Sequence, residues 1–188
     1  MPDAFALLNL PPRAALDAGL LQTAYLAASR EVHPDQQGGD TALSAELNSA
    51  LEILKSPVTR LKHLLENHSS TPWRAVPLDA GLMSLFEKLG PLLQTAGTFL
   101  KKKQAAASAL ARALLAGEEM RLRESLEDLG LQIDEAWQAL VADLPGLDAR
   151  IAAGETAAWL DVQSVQARLA YLSKWRSQIR EALLGLML

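Results

Sequence analysis

The chain has 188 residues, 49% of them hydrophobic, with 22 acidic against 18 basic side chains for a net charge of -4, and no cysteine. That much apolar material excludes a disordered chain and suits one large or two small domains. The acidic balance speaks against nucleic acid and anionic membrane as partners, since both demand concentrated Lys and Arg, and the missing sulfur excludes disulfides, thiolate zinc sites and Cys-ligated clusters.

No run of about twenty apolar residues occurs, and Met1 to Leu10 lacks the basic start and long apolar centre of a secretory signal. With a thiol-free composition suited to a reducing compartment, the expected location is the cytoplasm. Gly and Pro fall between long runs rich in Ala, Leu, Glu, Gln and Arg, and β-branched alternation is nearly absent, so the expected class is all-α.

Asp3 is placed to cap a short first helix with Phe5 and Leu8 on one face, stopped by Pro11-Pro12. Asp17 is the next N-cap, and Leu21, Tyr25, Ala28 and Val32 then recur at helical spacing. Pro34 disfavours helical geometry at His33 and ends this helix, and the polar run to Gly38-Gly39 predicts an exposed loop before a helix capped by Asp40. In that helix Leu43, Leu47, Ala50 and Leu54 repeat the same intervals, so the two helices carry matching stripes and are expected to form an antiparallel hairpin. Ser56-Pro57 predicts a cap with proline at the first helical position and a helix to about Asn67. Residues 69–77 combine Ser, Thr and two prolines and predict a linker between domains at 1–68 and 78–188. The remainder reads as a three-helix bundle over roughly 78–116, 118–143 and 155–184, with a kink at Gly90-Pro91 and breaks near Gly117 and Pro145-Gly146.

His33-Pro34-Asp35 thus joins two helices with matching stripes, behind a short helix ending in Leu8-Asn9-Leu10. The run Leu47-Asn48-Ser49-Ala50-Leu51-Glu52-Ile53-Leu54, with Pro57 and Arg60 after it, is similar to the Ile-Asn-x-Ala-Tyr-x-x-Leu pattern of J-domains. Over residues 3 to 67 the chain resembles the J-domain family. The resemblance implies a co-chaperone that docks His33 and Asp35, with Arg30 beside them, on the ATPase domain of a DnaK/HscA-type chaperone and promotes hydrolysis and client capture. An exposed carboxylate at Asp35 suits a bidentate pair with an arginine, and Pro34 lowers the ordering cost on binding.

Departures from the family are Gln36, where Lys is common, and a helix before the loop that carries only Arg30 against Asp17 and Glu31 where a basic face is usual. Asn9 stands where Gly is usual and is tolerable because Asn visits left-handed geometry.

The run Pro57-Val58-Thr59-Arg60-Leu61-Lys62-His63-Leu64-Leu65 further resembles the Pro-Leu-x-Arg-Ala-x-Tyr-Leu-Leu of HscB, the J-protein family of iron–sulfur cluster assembly. The two-part layout is similar too, and Leu82-Met83 with Phe86-Glu87 resembles the start of that family's Leu-Met-x-x-x-Glu helix. The resemblance implies that Leu82, Met83, Phe86 and Glu87 contact the iron–sulfur scaffold protein as client. The alternative reading of the same residues is packing inside the bundle. A second functional reading is an adaptor with weak chaperone docking, whose C-terminal bundle binds an unrelated protein.

His63 and His68, five apart, miss the same-face spacing of a helical metal site and are expected to be surface histidines. Lys101 to Lys103 reads as a solvated face, Glu118-Glu119 as carboxylates at a helix N-terminus, and Trp73, Trp137, Trp159 and Trp175 as packing residues. No catalytic constellation emerges, so no enzyme activity, metal or cofactor is expected.

Overall fold

A computed structural model describes residues 2–32 and 41–187, the side chain of Val32 excepted. The described residues form helices α1 (Ala4–Leu7), α2 (Ala18–Val32), α3 (Thr41–Lys55), α4 (Pro57–His68), α5 (Ala80–Ala105), α6 (Ala109–Ala142), α7 (Leu144–Ala152) and α8 (Ala158–Met187), and no strand. The all-α class follows. The chain divides into two compact units, one of residues 1–76 with 140–169 and one of 77–139 with 170–188.

In the first unit Asp3 Oδ1 accepts the Phe5 N–H at 3.0 Å and starts α1 as expected. Asn9 ends it in the left-handed region at φ 49°. Its N–H donates to Ala6 O at 3.1 Å while Leu10 N–H reaches Phe5 O at 2.9 Å, a Schellman closure that leaves Phe5 and Leu10 buried. Asp17 caps α2 through the Leu20 N–H at 2.8 Å. α2 and α3 pack together, with Leu21 of one stripe and Leu47, Ala50 and Leu54 of the other buried, and Tyr25 donates its hydroxyl to Asn48 Oδ1 at 2.6 Å. Ser56-Pro57 opens α4 with proline at its start, without a side-chain cap bond from Ser56.

The same unit includes contacts from far along the chain. Asp148 on α7 accepts the Ala14 and Ala15 N–H groups at 2.6 and 2.8 Å. Gln163, 2% exposed, accepts from Arg74 N–H at 3.2 Å and donates to Pro72 O at 3.1 Å, so backbone in the stretch 71–74 is tied to α8. Trp73 is 60% exposed and is not the packing residue expected; Trp175 is buried and Trp159 half-buried.

In the second unit Asp79 caps α5 through the Leu82 N–H at 2.9 Å, and helix continues through Pro91 to Ala105. The break comes at 106–108, ahead of Gly117. Ser108 Oγ accepts the Ala111 N–H at 3.1 Å and starts α6, in which Gly117 is an interior residue. Glu118 and Glu119 are therefore not at a helix start; they pair with Lys102 and Lys103 of α5. Lys103 also donates to Leu186 O at 2.6 Å and is only 24% exposed at its side chain, so the lysine run is in part a packed, bonded surface. Arg176 lies 4.9 Å over the half-buried Trp137 ring and pairs with Asp134 at 2.6 Å. The expected break near Pro145-Gly146 is occupied by α7, which belongs to the first unit and has proline in its first turn.

Candidate functional site

His33, Pro34 and Asp35, with Gln36 after them, lie outside the described residues. What is described is the helical frame on either side. Arg30 is exposed in the last turn of α2. α3 is held from behind by α1 and α4, and at its C-terminal end by Arg60, which is 5% exposed. The Arg60 guanidinium donates Nε–H to Ala14 O at 2.8 Å and Nη1–H to Leu54 O at 2.7 Å. Burial pushes this group below its ordinary value, and the charge of Asp148 acts in the opposite sense. Arg60 and Asp148 thus engage the same short segment, one through its carbonyl and the other through its N–H groups. The fork of the guanidinium suits this task, because it satisfies two divergent carbonyls from one rigid plane.

His63 is 4% exposed, which corrects its expected surface placement. It lies on the same face of α4 as Arg60 and Leu64, and its Nε2 is 2.9 Å from the Ala4 N–H and 3.1 Å from Asp3 Oδ1. The Ala4 N–H that meets this nitrogen stands at the start of α1 and has no intrahelical partner. His68 Nε2 lies 3.0 Å from Asp3 Oδ2, with its side chain 27% exposed, and both imidazoles lie about 6 Å from the Phe5 ring. Burial works to raise the Asp3 pKa, but the Phe5 N–H and the two histidines outweigh it and hold the carboxyl below its ordinary range. The cluster of Asp3, His63 and His68 is a fastening for α1. Among the described residues no group of three or more His, Cys, Asp or Glu could hold a metal ion, and no helix is long and apolar enough to cross a membrane.

The α5 candidates divide. Leu82 is 3% exposed and is a core residue, whereas Met83 and Phe86 are 41% and 51% exposed and Glu87 is exposed beside them. The Phe86 ring lies 6.1 Å from that of Trp175, and Trp175 lies 6.0 Å from the exposed Tyr171. The result is a surface strip of methionine and aromatics with a carboxylate at its side. Tyr171 escaped sequence reasoning, and Trp175 was expected as a packing residue, which its burial bears out. Their spacing of four on α8 is visible, but nothing in sequence places that face beside Phe86.

No family model matches the chain. It is similar to the co-chaperone protein HscB homolog of Haemophilus ducreyi, with 35% identity over 74 residues that cover 35% of this chain and 43% of that protein's length. Similarity to the HscB homolog of Vibrio atlanticus runs at 24% identity over 93% of both chains. Among solved structures, chaperone HscB from Vibrio cholerae superposes with a TM-score of 0.61 at 21% identity, covering 95% of this chain and 96% of that one. The chain is HscB-like, related in sequence to J-type co-chaperones and built on the all-α fold of HscB.

Proposed function

We propose that the chain is a J-type co-chaperone that acts in the cytoplasm as a regulator, not as an enzyme. His33, Pro34 and Asp35, with Arg30, engage the ATPase domain of a DnaK/HscA-type chaperone and bias it toward hydrolysis. The exposed strip of Met83, Phe86 and Glu87, extended by Tyr171, holds the client, which we take to be the iron–sulfur scaffold protein. Leu82 serves by fixing the helix that presents them. The observation that supports this reading is an HscB fold over 95% of a chain that carries His-Pro-Asp directly after α2. A second reading, an adaptor with weak chaperone docking, is favoured by the scarcity of charge on α2.

Single-turnover ATP hydrolysis by each DnaK-type chaperone of the host decides between them. The wild-type protein is expected to accelerate hydrolysis and His33→Gln to lose at least about tenfold of that acceleration, a change of roughly 1.4 kcal/mol or more in barrier. Equal activity of His33→Gln would sink the role of the loop, and silence of the wild-type protein with every chaperone would leave the adaptor.

A further inference from the structure

We propose that the outward face of α6 pairs with the same face of a second copy of this chain, antiparallel, about a two-fold axis that passes between residues 122 and 123. The inner face of α6 is apolar: Leu115, Leu122, Leu126, Leu129 and Ile133 are all 8% exposed or less. At 100° per residue a second stripe stands about 140° around the helix from them. It runs from Leu110 to Glu135 at intervals of four, three, four, three, four, three and four, and every one of its positions is exposed. The stripe stays within an arc of about 100°, the face that a 3.5-residue repeat presents to a neighbouring helix.

An exposed helix face is ordinarily a solvated one, and a lone exposed leucine needs no explanation. This stripe differs in being complementary to itself when reversed. With the two-fold axis between residues 122 and 123, Arg121 of each copy stands opposite Glu124 of the other, which gives two ion pairs at the centre. Leu114 and Leu131, 77% and 62% exposed, meet one another on either side. Asp128 falls opposite Gly117, one turn from Arg121 of the second copy, so each guanidinium is within reach of two carboxylates. Leu110, 71% exposed, falls opposite Glu135, one turn beyond Leu131, and extends the leucine pair.

Among the described residues Arg121 and Glu124 make no ion pair within the chain, whereas Glu118 and Glu119 pair with Lys102 and Lys103 of α5. The central charges are free to fix the register, because a slip toward either end sets like charges together or a charge against a leucine. A partner of any other kind would not require the two halves of the stripe to mirror each other. Pairing through α6 asks nothing of the His33 loop or of Met83 and Phe86, so it stands or falls apart from the function proposed above.

The test is sedimentation equilibrium of the full chain between about 1 and about 500 µM. Wild type is expected to pass from the mass of one chain to that of two with a dissociation constant on the order of 10–100 µM, as suits a contact at the small end of interface sizes. Arg121→Glu and Glu124→Arg each set like charges together and should raise that constant at least about tenfold, with helical circular dichroism unchanged. An equimolar mixture of these two variants restores both central pairs in a mixed dimer and should associate about as tightly as wild type. Leu114→Gln, which keeps helix propensity, should weaken association about tenfold with the charges left in place. A chain that stays single at the highest concentration, a dimer untouched by the charge reversals or by Leu114→Gln, or a mixture that associates no better than its components would each overturn the proposal.

Discussion

Asp3 has several partners although the helix it starts is four residues long. Its carboxylate accepts from Phe5 N–H and faces His63 and His68, and these bonds hold its pKa low. A carboxyl whose pKa is depressed on folding contributes stability that is present above its unfolded value, near 3.8, and is lost as pH falls through the lower folded value. Asp3→Ala is therefore expected to cost about 1 kcal/mol in urea unfolding at neutral pH, the typical worth of an N-cap. The difference from wild type should shrink as pH falls below about 4. Arg60 offers a second measurement at this scale. A lysine there keeps the charge but cannot fork to Ala14 O and Leu54 O together, so Arg60→Lys should lose about 2 kcal/mol, read as a lower urea midpoint at unchanged slope.

At the scale of elements, the break between α5 and α6 separates what the sequence discloses from what it hides. Gly117 looks like a helix end, yet the end signals lie ten residues earlier: Lys102 and Lys103 in a last turn, then Ser108 as a cap. Those signals were present and were outweighed by the glycine, because an interior glycine costs only about 1 kcal/mol and a long helix absorbs it. Gly117 has no left-handed φ, and a Cβ there would meet nothing closer than Arg121 Nη1 at 3.8 Å, so Gly117→Ala should raise the melting temperature by about 2–4 °C. A terminating glycine would give the opposite sign.

The hairpin stripes on α2 and α3, the caps at Asp3 and Asp17 and the left-handed Asn9 were legible because each depends on neighbours within a turn or two. His63 was half legible. Its spacing from Arg60 and Leu64 marks one face of α4, but that the face is the inner one is decided by α1, about sixty residues away. The grip of Asp148 on Ala14 and Ala15 spans more than 130 residues and leaves no local trace.

At the scale of the whole molecule, the candidate surfaces for chaperone and client fall in different compact units. Arg30 on α2 belongs to the unit of residues 1–76 with 140–169, and Met83, Phe86 and Tyr171 belong to the other. If each surface serves its own partner, the two activities should separate by mutation. Phe86 is half exposed and its ring lies 6.1 Å from that of Trp175, so Phe86→Ser removes the most prominent apolar contact for a client at small cost to the fold. In the ATPase assay without client, Phe86→Ser should stimulate the chaperone as the wild-type protein does. With the iron–sulfur scaffold added, wild type should gain further stimulation and Phe86→Ser should lose most of that gain, shifting the half-saturating scaffold concentration at least about tenfold. His33→Gln should lose both components, because client delivery has no output once the chaperone is not switched. Equal loss of client-free stimulation in Phe86→Ser would mean that the strip on α5 belongs to chaperone docking, and a full scaffold response would remove Phe86 from the client surface altogether.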